Sequence, residues 1–311
     1  RSALGFCKLK NLCNLMMDFI RFSRPHTIIG TSLSVLALYV LALSYAGNET
    51  GDWNIFLTAW VSCLGANIFI VGLNQLTDIE IDRINKPYLP LASGAYTVRT
   101  GQAIIGIALF IALALAVYGG PYLMWTVGLS LLLGIAYSLP PLRLKRFHFW
   151  AAFCIITVRG LIVNLILFLH FNNQLSGDTA LPPIIIWLTV AIFIYGLIIA
   201  WFKDMPDTAG DEAHRIQTLS IKVGLRRVFW IGNSLLGCLF LLLATLPLWA
   251  DLQVHHLLFG LGHLSLLLGF LLLASRVDLS EKASIMRYYQ AVWGLFFLEY
   301  GFLFATAGWL A

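Results

Sequence analysis

The sequence predicts an all-α, polytopic membrane protein with nine transmembrane helices. Three observations lead there. Of 311 residues, 59% are hydrophobic and only 11% are charged, less than half of the roughly 25% usual in a soluble domain. Mean hydropathy is +0.84, too high for a globule that must cover itself with polar surface. The lysines and arginines, finally, fall on one side of the topology that the apolar runs define. The composition also excludes a disordered chain, because 14% of the residues are aromatic and charges are few.

Taken in order, the apolar runs place spans near 27–46, 54–73, 101–118, 121–137, 151–171, 181–202, 228–247, 254–275 and 289–310. Pro25 suits the first turn of the first span. Glycines inside several spans are tolerated in lipid, where small residues let helices approach. Pro140 and Pro141 stop the fourth. Every Lys and Arg except Arg159 then lies in the segments 1–24, 83–99, 143–146, 203–227 and 276–287, all on one face of a nine-span protein. The opposite loops carry only Glu49, Asp52, Asp178 and Asp251. This bias puts the N-terminus on the cytoplasmic or stromal side. It also accounts for the net charge of +5 without nucleic acid as a partner. The five cysteines are widely spaced and read as small apolar packers.

Two loops on the basic side are also acidic. One reads Asn74-Gln-Leu-Thr-Asp78-Ile-Glu80-Ile-Asp82, the other Lys203-Asp204-Met-Pro-Asp207-Thr-Ala-Gly-Asp211. Each contains D-x3-D and each starts where a span ends, so the chain reads as one domain of two parallel pseudo-repeats, roughly 20–140 and 150–275, plus a last helix. On a helix, residues four apart share a face, so Asn74, Asp78 and Asp82 are expected in one stripe of oxygen ligands. Asp207 and Asp211 form a second, with Asp204 a turn earlier. Carboxylate and amide oxygens without His or Cys favour Mg²⁺, which is usually held by a few carboxylates plus substrate phosphate oxygens. The pattern points to a site for a diphosphate and Mg²⁺. Arg143 and Lys145, after the Pro pair, are placed to stabilise a departing pyrophosphate. Lys86 and Lys203 flank the acidic motifs as further phosphate-binding candidates.

These loops resemble the N-x3-D-x3-D and D-x3-D motifs of UbiA-type intramembrane aromatic prenyltransferases. The stretch NQLTDIEIDRINKPYLPLASG at 74–94 is similar to the homogentisate branch, nearest its phytyl-transferring members. FSRPHTIIGTSLS (22–34), TVRGLIVNLILFLH (157–170) and KDMPDTAGDEAHRIQTLSIKVG (203–224) support that placement. The resemblance implies a helical bundle around a central cavity capped by the two Asp loops, in the membrane of a photosynthetic organism. It implies Mg²⁺-dependent prenyl transfer from phytyl diphosphate to homogentisate with loss of CO₂, giving 2-methyl-6-phytylbenzoquinol, the tocopherol precursor. Geranylgeranyl or solanesyl diphosphate, or another aromatic acceptor, remains an alternative within the family. Matched residue by residue, Asn74, Asp78, Asp82, Asp207 and Asp211 fall on the family's motifs, with Asp204 beside them. Tyr137 and Arg143 match its loop after span four, where the wider family often has Lys.

Arg159 is the one basic residue inside a span, and such a charge marks a functional site. It is expected to bind the acceptor's carboxylate, to contact the diphosphate, or to pair with Glu299. Asn164, five residues on, is placed in the same cavity. Arg24 and His26, in SRPHT, sit at the mouth of span one as substrate-binding candidates. His255, His256 and His263 have no carboxylate or Cys at metal-binding spacing and read as interfacial or packing residues. A transporter would also carry a charged residue in a span, but here the acidic groups crowd at one face rather than at mid-membrane. A CDP-alcohol phosphotransferase would need D-G-x2-A-R between its Asp pairs, and the sequence lacks it.

Overall fold

A computed structural model describes residues 15–47, 50–203, 205–207, 219–252 and 254–306. It is helical throughout these segments, apart from turns, short 3₁₀ pieces and an isolated bridge at Val254. Eight helices are long and apolar enough to cross a membrane. Each has at least 18 residues, and a helix rises about 1.5 Å per residue against a hydrocarbon core about 30 Å thick. The ninth expected span, 289–310, falls on the 25-residue helix Lys282–Thr306. That helix is not among the eight, and residues 307–310 lie outside the described residues.

Packing divides the chain into two compact units. The first is Arg1–Val35 with Trp53–Lys145, the second Leu36–Asp52 with Arg146–Ala311. In order, the helices are α1 (15–23), α2 (Pro25–Tyr45), α3 (Trp53–Thr77), α4 (Ile79–Asn85), α5 (Pro90–Ser93), α6 (Val98–Gly119) and α7 (Pro121–Ser138). They continue with α8 (His148–Ile156), α9 (Phe168–Ser176), α10 (Pro183–Phe202), α11 (Leu219–Val223), α12 (Leu225–Thr245), α13 (His256–Ser275) and α14 (Lys282–Thr306).

In the first unit α3 packs against α6 and α7. Small residues permit the approach: a Cβ on Gly65 would stand 2.8 Å from the Ala108 carbonyl oxygen. Ser62 donates to the Ala112 carbonyl oxygen at 2.7 Å, so the same contact also holds an interhelical hydrogen bond. A single residue joins α6 to α7. Gly120, at φ +97°, makes the turn that a side chain would oppose, and Pro121 opens the next helix. α7 stops at Ser138 because Leu139, preceding Pro140, is held extended at ψ 143°.

In the second unit α8, the segment Thr157–Leu167 and α9 form one long helix whose middle has i→i+5 bonding. Such wide turns are rare and concentrate at functional sites. Gly160 lets this segment pack on the Phe193 backbone of α10. Tyr195 sits edge-on to Phe240 and Phe296, and Phe296 to Tyr300, in the buried centre of the unit.

Gly65→Ala is expected to lower the detergent melting temperature, by a destabilisation of about 1–3 kcal/mol from overpacking. Gly106→Ala, where an added Cβ meets nothing within 4 Å, should leave it unchanged or raise it slightly. Thermal melts of the two variants check the pair.

Candidate functional site

The first acidic motif is built at a helix break. α3 ends at Thr77, and Asp78, at φ −121° and ψ 18°, caps α4. Asn74, Asp78 and Asp82 therefore do not share one uninterrupted helical stripe as their spacing suggested. The chain turns at Asp78, where the backbone bonds are Asp78 N–H to the Gln75 carbonyl, 3.3 Å, and Asp82 N–H to the Asp78 carbonyl, 2.7 Å. Asn74 Nδ2 still reaches the Asp78 carboxylate at 3.3 Å.

Asp78 is held between two cations. Arg143 Nη2 donates to Oδ1 at 3.0 Å and Lys145 Nζ to Oδ2 at 2.6 Å. Lys145 also donates to the Thr77 hydroxyl at 2.9 Å. The three side chains are 14%, 28% and 11% exposed, so solvent screens these pairs only partly. From the other side Arg24 Nη2 donates to Asn74 Oδ1 at 3.2 Å. Arg24 (φ +54°) and Arg143 (φ +38°) are the two described non-glycine residues with left-handed backbones. A side chain there costs on the order of 1–3 kcal/mol, and such strain clusters at functional sites. Both strained residues are arginines that reach this motif.

Two polar atoms of the cluster are buried without a hydrogen-bond partner: Asp82 Oδ2, an acceptor, and Arg143 Nε, a donor. Desolvation raises the Asp82 carboxyl above the ordinary range, against Lys86, whose ammonium lies 3.9 Å away, and against Arg24. Desolvation likewise lowers Lys145, opposed by its bond to Asp78. Among the described residues no three His, Cys, Asp or Glu side chains gather as a ready cation cage. The first motif offers two carboxylates and an amide instead, an all-oxygen donor set that suits a hard cation completed by ligand oxygens. The open Asp82 oxygen fits a cation, and the open Arg143 N–H fits an anion.

His26 is exposed in the first turn of α2, and Tyr137 is half-buried at the end of α7. In the second motif Lys203 ends α10, and Asp207 closes the 3₁₀ turn Met205–Asp207. Asp204 and Asp211 lie outside the described residues.

Arg159 and Asn164 both belong to the wide-turned segment of the second unit. Arg159 lies over the Trp293 ring, 5.3 Å from its centroid, and has no carboxylate partner among the described residues. Asn164 is fully buried, donating to the Gly160 carbonyl at 3.0 Å and accepting from the Tyr300 hydroxyl at 2.9 Å. The pairing of Arg159 with Glu299, one of its three expected roles, is not formed; Glu299 Oε1 instead meets His263 Nε2 at 3.1 Å. His263 has a polar partner that its sequence spacing did not show. It is fully buried between that carboxyl and the Phe259 carbonyl, a partner that only the packing of α13 on α14 supplies. Sequence reasoning missed Trp293 and Tyr300 in the same way. They are ordinary aromatics in a chain full of them, and no local spacing marks them. Thr77, one residue before Asp78, was missed although a hydroxyl inside the motif was a visible signal.

Residues 35–299 match the model of the UbiA prenyltransferase family. A homogentisate phytyltransferase of Synechocystis is 45% identical over 295 residues, spanning 94% of this chain and 96% of the relative. The homogentisate phytyltransferase 1 of Arabidopsis thaliana is 40% identical over 94% of this chain and 76% of its own length. A homogentisate geranylgeranyltransferase of Triticum aestivum is 34% identical over 91% and 70%. Among solved structures, a UbiA homologue from Archaeoglobus fulgidus bound to GPP and Mg²⁺ has a TM-score of 0.64 at 18% identity, covering 93% of this chain and all of that one. At that identity the likeness is one of fold.

Asp78→Asn leaves Arg143 and Lys145 without a counter-charge and is expected to cost about 1–3 kcal/mol of stability. Asp82→Asn, replacing a carboxyl already disfavoured as an ion by burial, should melt at or near the parent temperature. Detergent melts of both variants test the contrast.

Proposed function

The chain belongs to the UbiA prenyltransferase family, and from that premise we propose that it transfers a phytyl group from phytyl diphosphate to homogentisate with decarboxylation, giving 2-methyl-6-phytylbenzoquinol. One observation of the site carries the chemistry: a buried carboxylate oxygen on Asp82 and a buried guanidinium N–H on Arg143 stand open in a cluster that already concentrates cations at Asp78. Such a cluster accepts a metal and a phosphate together. The choice of donor and acceptor rests on the curated phytyltransferases, which resemble this chain over nearly its whole length.

In this reading Asn74, Asp78 and Asp82, with Asp204, Asp207 and Asp211 of the second motif, hold Mg²⁺. The metal, when bound, supplies positive charge to the leaving diphosphate. Arg143 and Lys145 exchange part of their contact with Asp78 for the diphosphate oxygens, so the charge that develops as the C–O bond breaks is met by donors already in position. Arg24, His26, Lys86 and Lys203 add phosphate contacts around the mouth. Tyr137, at the end of α7, orders the approach to the 143–146 loop. The prenyl tail runs among the membrane helices, in surroundings that exclude water from the allylic cation. A ring carbon of homogentisate takes up that cation, forming the C–C bond. The ring proton leaves, and the side-chain methylene gains one as its carboxyl departs as CO₂. Arg159 binds the acceptor's carboxylate, with the Trp293 ring beneath the guanidinium, and Asn164 fixes the neighbouring turn. The acidic loops and the N-terminus face the cytoplasmic or stromal side, as the basic loops require. A geranylgeranyl donor is the second reading, favoured by the wheat relative.

Membranes containing the protein, given radiolabelled homogentisate and phytyl, geranylgeranyl or solanesyl diphosphate, are expected to form lipid product fastest with the phytyl donor. EDTA should abolish it, and Asp78→Ala should lower it at least about 100-fold. A faster rate with another donor would move the substrate while keeping the site.

Arg159→Lys retains the charge but not the planar fork, so the KM for homogentisate is expected to rise about tenfold while the KM for the donor stays level. An unchanged homogentisate KM would remove Arg159 from the acceptor site.

A further inference from the structure

Three adjoining hollows in the second unit share side chains and form one cleft, two of them between α12 and α13 and the third along the start of α12. At its upper end Arg226, Trp230 and Arg276 line a cavity of about 540 Å³. Arg226 and Trp230 also belong to a neighbouring hollow beside Gly224 and Arg227. Trp230, Ala274 and Ser275 carry the surface onward into a groove of about 560 Å³ lined by Ser234, Gly237, Cys238, Leu241, Leu267 and Leu271. Each volume is within the roughly 300–1,000 Å³ of small-molecule sites. None of the described residues assigned to prenyl transfer lines the cleft.

Its two ends differ in chemistry. The groove is almost entirely apolar, and Gly237 leaves it open, since a Cβ there would come only within 4.0 Å of Leu267 and Phe270. The mouth carries three exposed arginines. It also meets the first turn of α12, whose cap is Gly224, a residue with no side chain to occupy the free backbone N–H groups. Among the described lining residues the one acid, Asp278, turns its Oδ1 to the Ser280 N–H and hydroxyl at 2.8 and 2.6 Å. Trp230, 54% exposed, stands where mouth and groove join, the position that an amphipathic ring takes at a membrane interface. Basic loops alone would satisfy topology, but they do not require an apolar groove leading out of the basic cluster.

We propose that this cleft is a binding site for an anionic membrane lipid, with its phosphate at Arg226, Arg227 and Arg276 and an acyl chain along the α12–α13 groove. The site stands independently of the transferase reading, because it uses none of that reaction's residues.

The test uses the purified full chain in detergent. It is titrated with phosphatidylglycerol, with phosphatidylcholine of the same chains, with dihexanoyl phosphatidylglycerol and with inorganic phosphate, and bound species are counted by native mass spectrometry. Phosphatidylglycerol is expected to bind at least about thirtyfold more tightly than phosphatidylcholine, and the double variant Arg226→Gln/Arg276→Gln to erase that preference, at roughly fivefold per arginine. Gly237→Phe should weaken the long-chain lipid and leave the dihexanoyl form unaffected. Arg83→Gln/Arg99→Gln, which removes equal charge elsewhere, should change nothing. An equal loss in this control would reduce the effect to general surface charge and overturn the site. So would undiminished binding in the Arg226/Arg276 variant, or inorganic phosphate competing as well as the lipid.

Discussion

The carboxylate of Asp78 sits where a membrane helix ends, and the first unit is organised around neutralising it. Arg143 and Lys145 arrive from the loop after α7, and Asn74 links the same carboxylate to Arg24 ahead of α2. Three chain segments distant in sequence are thus fixed by one charge. A carboxylate at this depth, 14% exposed, requires partners, because an uncompensated charge in a low-dielectric boundary costs several kcal/mol. The backbone strain at Arg24 and Arg143 is the counterpart of that demand: both residues accept a left-handed conformation where they deliver a guanidinium to the motif.

The second unit handles polarity differently. Three of its buried polar side chains on α14 pair singly with other helices: Glu299 with His263, Tyr300 with Asn164, Tyr288 with Asn233. Each pair ties α14 to a different neighbour, since the partners lie on α13, on the Thr157–Leu167 segment and on α12. Arg159 stands apart as a cation whose described neighbour is a π face rather than a carboxylate. A guanidinium supported by a π face rather than by a carboxylate keeps N–H donors on its edge.

The helices were legible because lipid leaves a chain little choice. Every backbone N–H and C=O must be satisfied within the segment, so an apolar run of about 20 residues reads as a helix without knowledge of its neighbours. Stops at Gly120–Pro121 and Leu139–Pro140 were equally local, since ring geometry and positive φ act on adjacent residues. The first acidic motif was legible as chemistry but not as shape. Spacing gave Asn74, Asp78 and Asp82 one face, whereas the chain turns at Asp78, the residue whose carboxylate meets Arg143 and Lys145 from a loop distant in sequence.

By itself, then, the sequence determined the class of fold, the segments that are apolar enough to cross a membrane, and the residue types that crowd the acidic loops. Tertiary structure decided which of those residues touch: that Lys145 binds both Thr77 and Asp78, that Glu299 belongs to His263, and that Arg159 rests on Trp293. The division has a physical cause. Solvation and backbone sterics act residue by residue and leave a periodic trace in the string. Pairing between helices depends on their rotation and depth relative to one another, set by small-residue contacts such as Gly65 on Ala108 that no local pattern encodes.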